Sequence, residues 1–284
     1  MKISTLLDQI EIGQIALPEF QRGYVWNRDQ VRGLVRSLYK RYPVGSLLAW
    51  ITDSSQAQGR GASALASGQQ VKMLLDGQQR MTSLYGIIKG EPPAFFDGDA
   101  NAFRGLYFHV ETEEFSFYMA SKMQGNPLWV DVTRLMKEGV DNILEEIQEC
   151  TQDFKRTTHC GNRLNRLRDV REIDVHIEDV SGPEMTLDVV VDIFNRVNSG
   201  GRKLSKGDLA LARICSVEPD ARSRMRKALD DWNDSGFGFT LDWLLRSVTT
   251  IATGDARFSA LHELDASTFN SALQRSINHI NAIL

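Results

Sequence analysis

The stretch LLDGQQRMTSLYGII, residues 74–88, sets Asp76, Gly77, Gln78, Gln79 and Arg80 between an apolar run and renewed apolar periodicity. A plain turn needs only Asp-Gly; two amides and a guanidinium exceed what chain reversal requires. If a strand ends here and a helix begins at once, the first backbone N–H groups of that helix carry roughly half a positive charge and suit a phosphate. Gly77 permits a left-handed backbone and close approach. Gln78 and Gln79 add donors that do not titrate, Thr82 follows with a hydroxyl, and Arg80 supplies a planar, permanently charged fork. This is a phosphate cradle without a Walker-type lysine. The same residues also fit a tight turn with Asp76 capping the helix and Arg80 in water. Either way Arg80 stands at a helix start and off the apolar stripe, so its replacement is expected to spare the fold.

Two further stretches carry unusual polar residues. In LPEFQRGYVW, residues 17–26, Gln21 and Arg22 lie among Phe20, Tyr24 and Trp26. Donors framed by aromatics suit a base, a nucleotide or a modified DNA backbone. They equally fit a packed aromatic cluster with Arg22 stacked on a ring. In FNRVNSGGRKLSKGDLALARI, residues 194–214, Ser205 and Asp208 form a capping box, with Leu204 and Leu209 at the staple positions. That leaves Asn195, Asn198 and Gly200-Gly201 unexplained. They fit a helix C-cap, or a turn that touches a metal-nucleotide or a ribose.

A basic row lies between the first two stretches. Residues 21–42 hold Arg22, Arg28, Arg32, Arg36, Lys40 and Arg41 against Asp29 alone. Arg28, Arg32, Arg36 and Lys40 recur every fourth residue and so share one helix face, opposite the apolar stripe. Such a row can track DNA phosphates, with binding that weakens steeply as salt rises. The stretch from Lys155 to Arg171 mixes its charges more and reads as a solvated face.

The elements that must position these residues are legible from periodicity. Val31, Leu34, Val35, Leu38 and Tyr39 make a helical stripe, opened by Asn27 and Gln30 as a capping box and ended by Pro43 and Gly45. SLLAWI and QVKMLLD read as strands around DSSQAQGRGASALASGQQ, a low-complexity stretch read as a mobile loop. MTSLYGIIKG reads as a helix stopped by Gly90. LYFHVETEEFSFYM predicts a β-hairpin, residues 131–169 charged helices, and REIDVHIEDV a half-exposed strand. LDVVVDIFNRV is helical, as is the chain from Lys206 onward. The predicted class is therefore α+β: a small mixed sheet with helices, followed by a mainly helical C-terminal half. A soft boundary near residue 180 divides a nucleotide-binding region, 1–180, from a helical region, 181–284, that completes the pocket.

Composition sets limits. The 284 residues are 42% hydrophobic and 25% charged, with net charge -4, so nucleic-acid contact must use a local patch. No apolar run reaches the length of about 18 residues that a membrane span needs. MKISTLLDQIEIG lacks the apolar core of a signal peptide, and three cysteines at no metal-ligand spacing suit a reducing cytoplasm. The five histidines are scattered, and HCGNRLNR offers no second histidine, so no metal site is expected. The chain stops inside the amphipathic pattern NSALQRSINHINAIL, as expected of a shortened chain or of one whose nuclease is a separate polypeptide.

Taken in order, LPEFQRGYVW, LLDGQQRMTSL and FNRVNSGGRKLSKGDL resemble the N-terminal domain of GmrSD-type modification-dependent restriction proteins, over roughly residues 3–215. The first ninety or so residues are also similar in plan to the ParB and sulfiredoxin superfamily. The resemblance implies a ParB-like nucleotide-binding fold that senses modified double-stranded DNA, through glucosylated bases or phosphorothioate linkages, and binds or hydrolyses an NTP. It implies that Asp76, Gly77, Gln78, Gln79, Arg80 and Thr82 hold the nucleotide, with Gln78, Gln79 and Arg80 catalytic. Gln21 and Arg22 would line the pocket or the DNA-sensing surface, and Asn195, Asn198 and Asp208 would complete it with Mg²⁺. Phe20, Tyr24, Trp26, Arg28, Arg32, Arg36 and Lys40 would face DNA, and a nuclease domain or subunit would be the partner. Sulfiredoxin's cysteine is absent from the turn, which argues against redox repair. Two alternatives stay open: a non-catalytic DNA-binding module whose DGQQR turn grips a DNA phosphate, and a metal-dependent nuclease.

Overall fold

The computed structural model describes residues 1–18, 21, 23–53, 59–60, 69–185, 187–197, 214, 218, 221–257, 260 and 264–284. Most of the low-complexity loop and of the Asn- and Gly-rich stretch after residue 197 lie outside the described residues. Two units divide the chain. One comprises most of Met1–Ser181; the other comprises Gly182–Leu284 together with Pro18–Gln21 and Ser55–Gly59.

The first unit is α+β. Helix α1 (Ile3–Glu11) leads into β1 (Ile15–Pro18), and α2 (Arg28–Tyr39) into β2 (Leu47–Asp53). After β3 (Gly59–Arg60), β4 (Gln70–Asp76) runs directly into α3 (Gln78–Lys89). With β8 (Ile177–Val180) these strands form a mixed sheet in the order β3-β1-β4-β2-β8. β4 pairs parallel with β1 and antiparallel with β2, and β2 pairs parallel with β8. The central strands read as near-continuous apolar runs because helices cover them: Met73, Leu74 and Leu75 of β4 are all buried.

The predicted hairpin forms as β5 (Leu106–His109) and β6 (Glu114–Phe117), joined in an antiparallel sheet by β7 (Trp129–Asp131). The charged helices are α4 (Ala120–Met123), α5 (Val132–Glu138), α6 (Asp141–Thr151) and α7 (Phe154–Arg168). One strand is shorter than its alternation suggests. Ile173 and Val175 bond instead to the N-terminus, through Ile3 N–H to Ile173 O and Val175 N–H to Met1 O, so only Ile177–Val180 joins the sheet.

The second unit is helical where described: α8 (Leu187–Val197), then helices Ala221–Asp234, Leu241–Thr253 and Ala266–Ile283. Its own core gathers Met225, Trp232, Leu244, Val248, Phe269 and Leu273. Among the described residues, no helix is long and apolar enough to cross a membrane.

Helix α3 crosses the core closely enough that a side chain at Gly86 would overlap the ring of buried Phe103. Gly33, in the middle of α2, has open space around it. Opposite effects are expected from the same change. Gly86→Ala should destabilise by about 1–3 kcal/mol through overpacking. Gly33→Ala should stabilise by about 0.5–1 kcal/mol through helix propensity. Denaturant unfolding of the two variants checks the signs.

Candidate functional site

β4 ends at Asp76, and Gly77 forms the N-cap of α3 with φ +93°. A Cβ there would overlap the Leu47 side chain and lie 3.2 Å from Arg80 Nη2, so glycine is required by both backbone and space. No side chain caps the first turn of α3. Asp76 does not cap it; Asp76 Oδ2 accepts a hydrogen bond from Arg80 Nη2 at 2.9 Å.

Arg80 is not in water. Its Nη1 donates to Val44 O at 2.6 Å and its Nη2 to Ser46 O at 2.8 Å. The turn before β2 wraps the guanidinium: Gly45, at φ +85°, would place a Cβ only 2.9 Å from Nη1. The expectation that Arg80 can be removed without cost to the fold is therefore corrected. Its planar fork satisfies two backbone carbonyls and one carboxylate, and a shorter or apolar side chain would strand them.

Gln79 grips the other flanking segment. Its Oε1 accepts from the backbone N–H of Val25 at 2.8 Å and of Trp26 at 3.2 Å, while Nε2 donates to Gly23 O at 3.2 Å. The same segment is tied again through Tyr24, whose hydroxyl lies 2.7 Å from Ser83 Oγ. Ser83 Oγ also donates to Gln79 O at 2.7 Å. Tyr24 is a core residue, its ring edge-on to Phe103 with centroids 5.7 Å apart, and burial raises its phenol pKa. Trp26 is partly buried against the same core. The first aromatic stretch thus packs inward at Tyr24 and is fastened to the DGQQR turn.

Gln78 and Thr82 are both buried. Among the described residues the Thr82 hydroxyl has no hydrogen-bond partner. Gln21 is buried too, and its carbonyl accepts from Arg222 Nη2 at 3.2 Å. Asn195 lies in α8. Phe20, Arg22, Asn198 and Asp208 lie outside the described residues. Among the described residues, no group of three His, Cys, Asp or Glu could hold a metal ion.

The basic row stands on α2 as its spacing predicts. Asn27 and Gln30 form the full capping box, and Val31, Leu34, Val35, Leu38 and Tyr39 are buried. Arg28, Arg36 and Lys40 are exposed and Arg32 is half-buried. Arg28 bonds to Asn101 O at 3.2 Å and lies 4.9 Å from the Phe117 ring centre, and Arg32 pairs with Asp29 at 2.8 Å.

The second basic stretch is exposed at Lys155, Arg156 and Arg166, as its mixed charges suggest, and several of its arginines also have partners. Arg156 pairs with Glu111, and Arg163 Nη1 donates to the carbonyls of Val110 and Glu111 at 3.0 and 2.7 Å. Arg166 donates to Tyr39 O at 3.1 Å and stacks 4.6 Å from its ring centre. The acidic tip of the β5–β6 hairpin recruits Arg156 and Arg163. Burial, reinforced by Glu113, pushes the Tyr39 phenol up to about 12.

Sequence reasoning missed Val44, Ser46 and Ser83 as partners of the motif. Gly45 carried the one signal for the turn around Arg80. Arg80→Ala should destabilise by about 2–3 kcal/mol, because it strands the Val44 and Ser46 carbonyls and the Asp76 carboxylate. An unchanged urea midpoint would refute that latch.

Comparison with known proteins adds one family and one relative. The model of the GmrSD restriction endonuclease N-terminal domain matches residues 3–215. An uncharacterized protein of Methanocaldococcus jannaschii is 23% identical over 251 residues, covering 71% of this chain and 39% of that protein. The chain therefore spans about two-fifths of the length of the curated relative it matches. The family match contains the braced turn, the stretch fastened to it and the basic helix between them: the chain belongs to the family of GmrSD restriction endonuclease N-terminal domains.

Proposed function

We propose that this chain is the nucleotide-binding, DNA-sensing part of a restriction protein that defends the cytoplasm against phage carrying modified DNA. The observation that carries the reading is the start of α3, which opens from a left-handed Gly77 with no side-chain cap. Its first-turn amides are the donors offered to a phosphate. Thr82, one turn on, adds a buried hydroxyl without a partner among the described residues. In this reading the fold around the turn is ParB-like. Gln21, Asn195, Asn198 and Asp208 stay assigned to nucleotide binding in this reading.

The residues fit an NTP at the level of donor chemistry. Gly77 lets the backbone approach, Gln78 belongs to the first turn, and Asp76, paired with Arg80 through Oδ2, is the motif carboxylate that would meet a phosphate-borne Mg²⁺. A bound NTP supplies a phosphoanhydride whose hydrolysis needs an oriented water and neutralised charge. Gln78, Gln79 and Arg80 are assigned to that step. Gln79 and Arg80 serve it chiefly by position, since their side-chain groups bond to Gly23, Val25, Trp26, Val44 and Ser46.

The same bonds suggest how the turn reports to DNA. Gln79 holds Val25 and Trp26, the next residue Asn27 caps α2, and α2 carries Arg28, Arg32, Arg36 and Lys40. A shift at the start of α3 is thereby passed to the basic face, and onward to a nuclease domain or subunit. A DNA-phosphate grip without nucleotide is the second reading. It is favoured by the direct link between the turn and the basic helix.

Thermal unfolding with each NTP and Mg²⁺ separates the two. An NTP at 100 times its Kd should stabilise by about 2.7 kcal/mol. Thr82→Val should keep or raise the unliganded midpoint, because it removes an orphaned hydroxyl, yet lose that stabilisation. No shift with any NTP, together with salt-sensitive DNA binding, would leave the DNA-grip reading. Arg32→Glu with Arg36→Glu should weaken DNA binding and reduce the salt slope by about 2. An unchanged slope would remove α2 from the DNA surface.

A further inference from the structure

Two rings of the loop between helices Ala221–Asp234 and Leu241–Thr253 stack with one from the first turn of the second helix. Phe237 and Phe239 lie 6.0 Å apart with planes 11° apart, and Phe239 and Trp243 lie 4.2 Å apart with planes 12° apart. Trp232, buried in the unit's core, meets Phe239 edge-on at 5.8 Å and anchors the stack from behind. The two ends of the stack are open: Phe237 is 44% exposed and Trp243 39%. Gly236 and Gly238, beside Phe237, have nothing within 4 Å of where a Cβ would stand. Two part-exposed rings joined through a third make a contiguous aromatic face, the kind of surface that serves as a contact site.

The charge around the rings selects what they contact. Residues 230–243 hold four aspartates and no lysine or arginine. Asp230, Asp231 and Asp234 are exposed, and Asp242 pairs with Arg246 at 3.3 Å. A nucleic-acid stacking platform interleaves its rings with basic residues, and these carboxylates would repel phosphate. A cation is attracted by both features, by the ring faces through their quadrupole and by the aspartates through charge. Arginine fits best, because its planar guanidinium stacks on a ring while its edge donates to carboxylates.

We infer that the Phe237–Phe239–Trp243 stack is a docking surface for an arginine-bearing segment of a partner protein. The guanidinium lies on the open ring face, and the exposed Asp231 and Asp234 of the same segment supply the negative charge.

The test uses the whole chain labelled with 5-fluorotryptophan and an acetylated Arg-Gly-Arg-Gly-Arg peptide as probe. The protein has five tryptophans, so each gives its own fluorine resonance, and Trp243→Phe assigns the one in the stack. The peptide should move the Trp243 resonance saturably and leave those of Trp26, Trp50 and Trp129 in place. Phe237→Ala, and separately Asp231→Asn with Asp234→Asn, should raise the Kd about fivefold with no change in thermal midpoint. The matching lysine peptide should bind more weakly. Three results would overturn the inference: no movement at Trp243, equal affinity in Phe237→Ala, or an oligothymidine that moves Trp243 where the peptide does not.

Discussion

Gln79 and Arg80, adjacent at the start of α3, satisfy five backbone groups outside their own helix. These are the amides of Val25 and Trp26 and the carbonyls of Gly23, Val44 and Ser46. The groups of Gly23, Trp26 and Val44 are partly buried, and an unpaired backbone group away from water costs about 1–3 kcal/mol, so neither side chain can leave without consequence for the segment it holds. Two connecting segments, Gly23–Trp26 before α2 and Val44–Ser46 before β2, take their course from one helix turn. Gly77 and Gly45 make room for the guanidinium that lies between them.

That constraint bears on function. The motif proposed to meet a ligand is also the brace of its surroundings, and that proposal couples the two roles. Whatever meets the first turn of α3 also meets a helix start wired through Gln79 to Asn27 and the basic face of α2. Tyr24 strengthens the same link from inside the core, through Ser83. Burial pushes its phenol still further above the physiological range, so this tie does not vary with pH there.

Local features were readable from the sequence because local physics sets them. The stripe of Val31, Leu34, Val35, Leu38 and Tyr39, the Asn27–Gln30 capping box, Gly90 as a left-handed stop and the exact span of β4 each depend on neighbours a few residues away. The partners of Gln79 and Arg80 were not readable. A side-chain fork recognising backbone groups 34 to 56 positions away leaves no periodic trace, and any loop could have supplied those carbonyls. Tyr24 looked like a stacking ring because aromatics near arginine have the same spacing in a core and on a surface. The partners of Arg156 and Arg163 on α7 were not readable either, because they lie at the tip of the distant β5–β6 hairpin.

Gln79 ties the start of α3 to the segment that leads into α2. Hydrogen exchange at the Val25 and Trp26 amides reads that tie directly, since both donate to Gln79 Oε1. Both amides should be protected in the wild-type protein, lose protection in Gln79→Ala, and change protection when an NTP and Mg²⁺ are added. Exchange at the rate of an unstructured peptide in the wild type, or protection indifferent to the loss of Gln79, would contradict it.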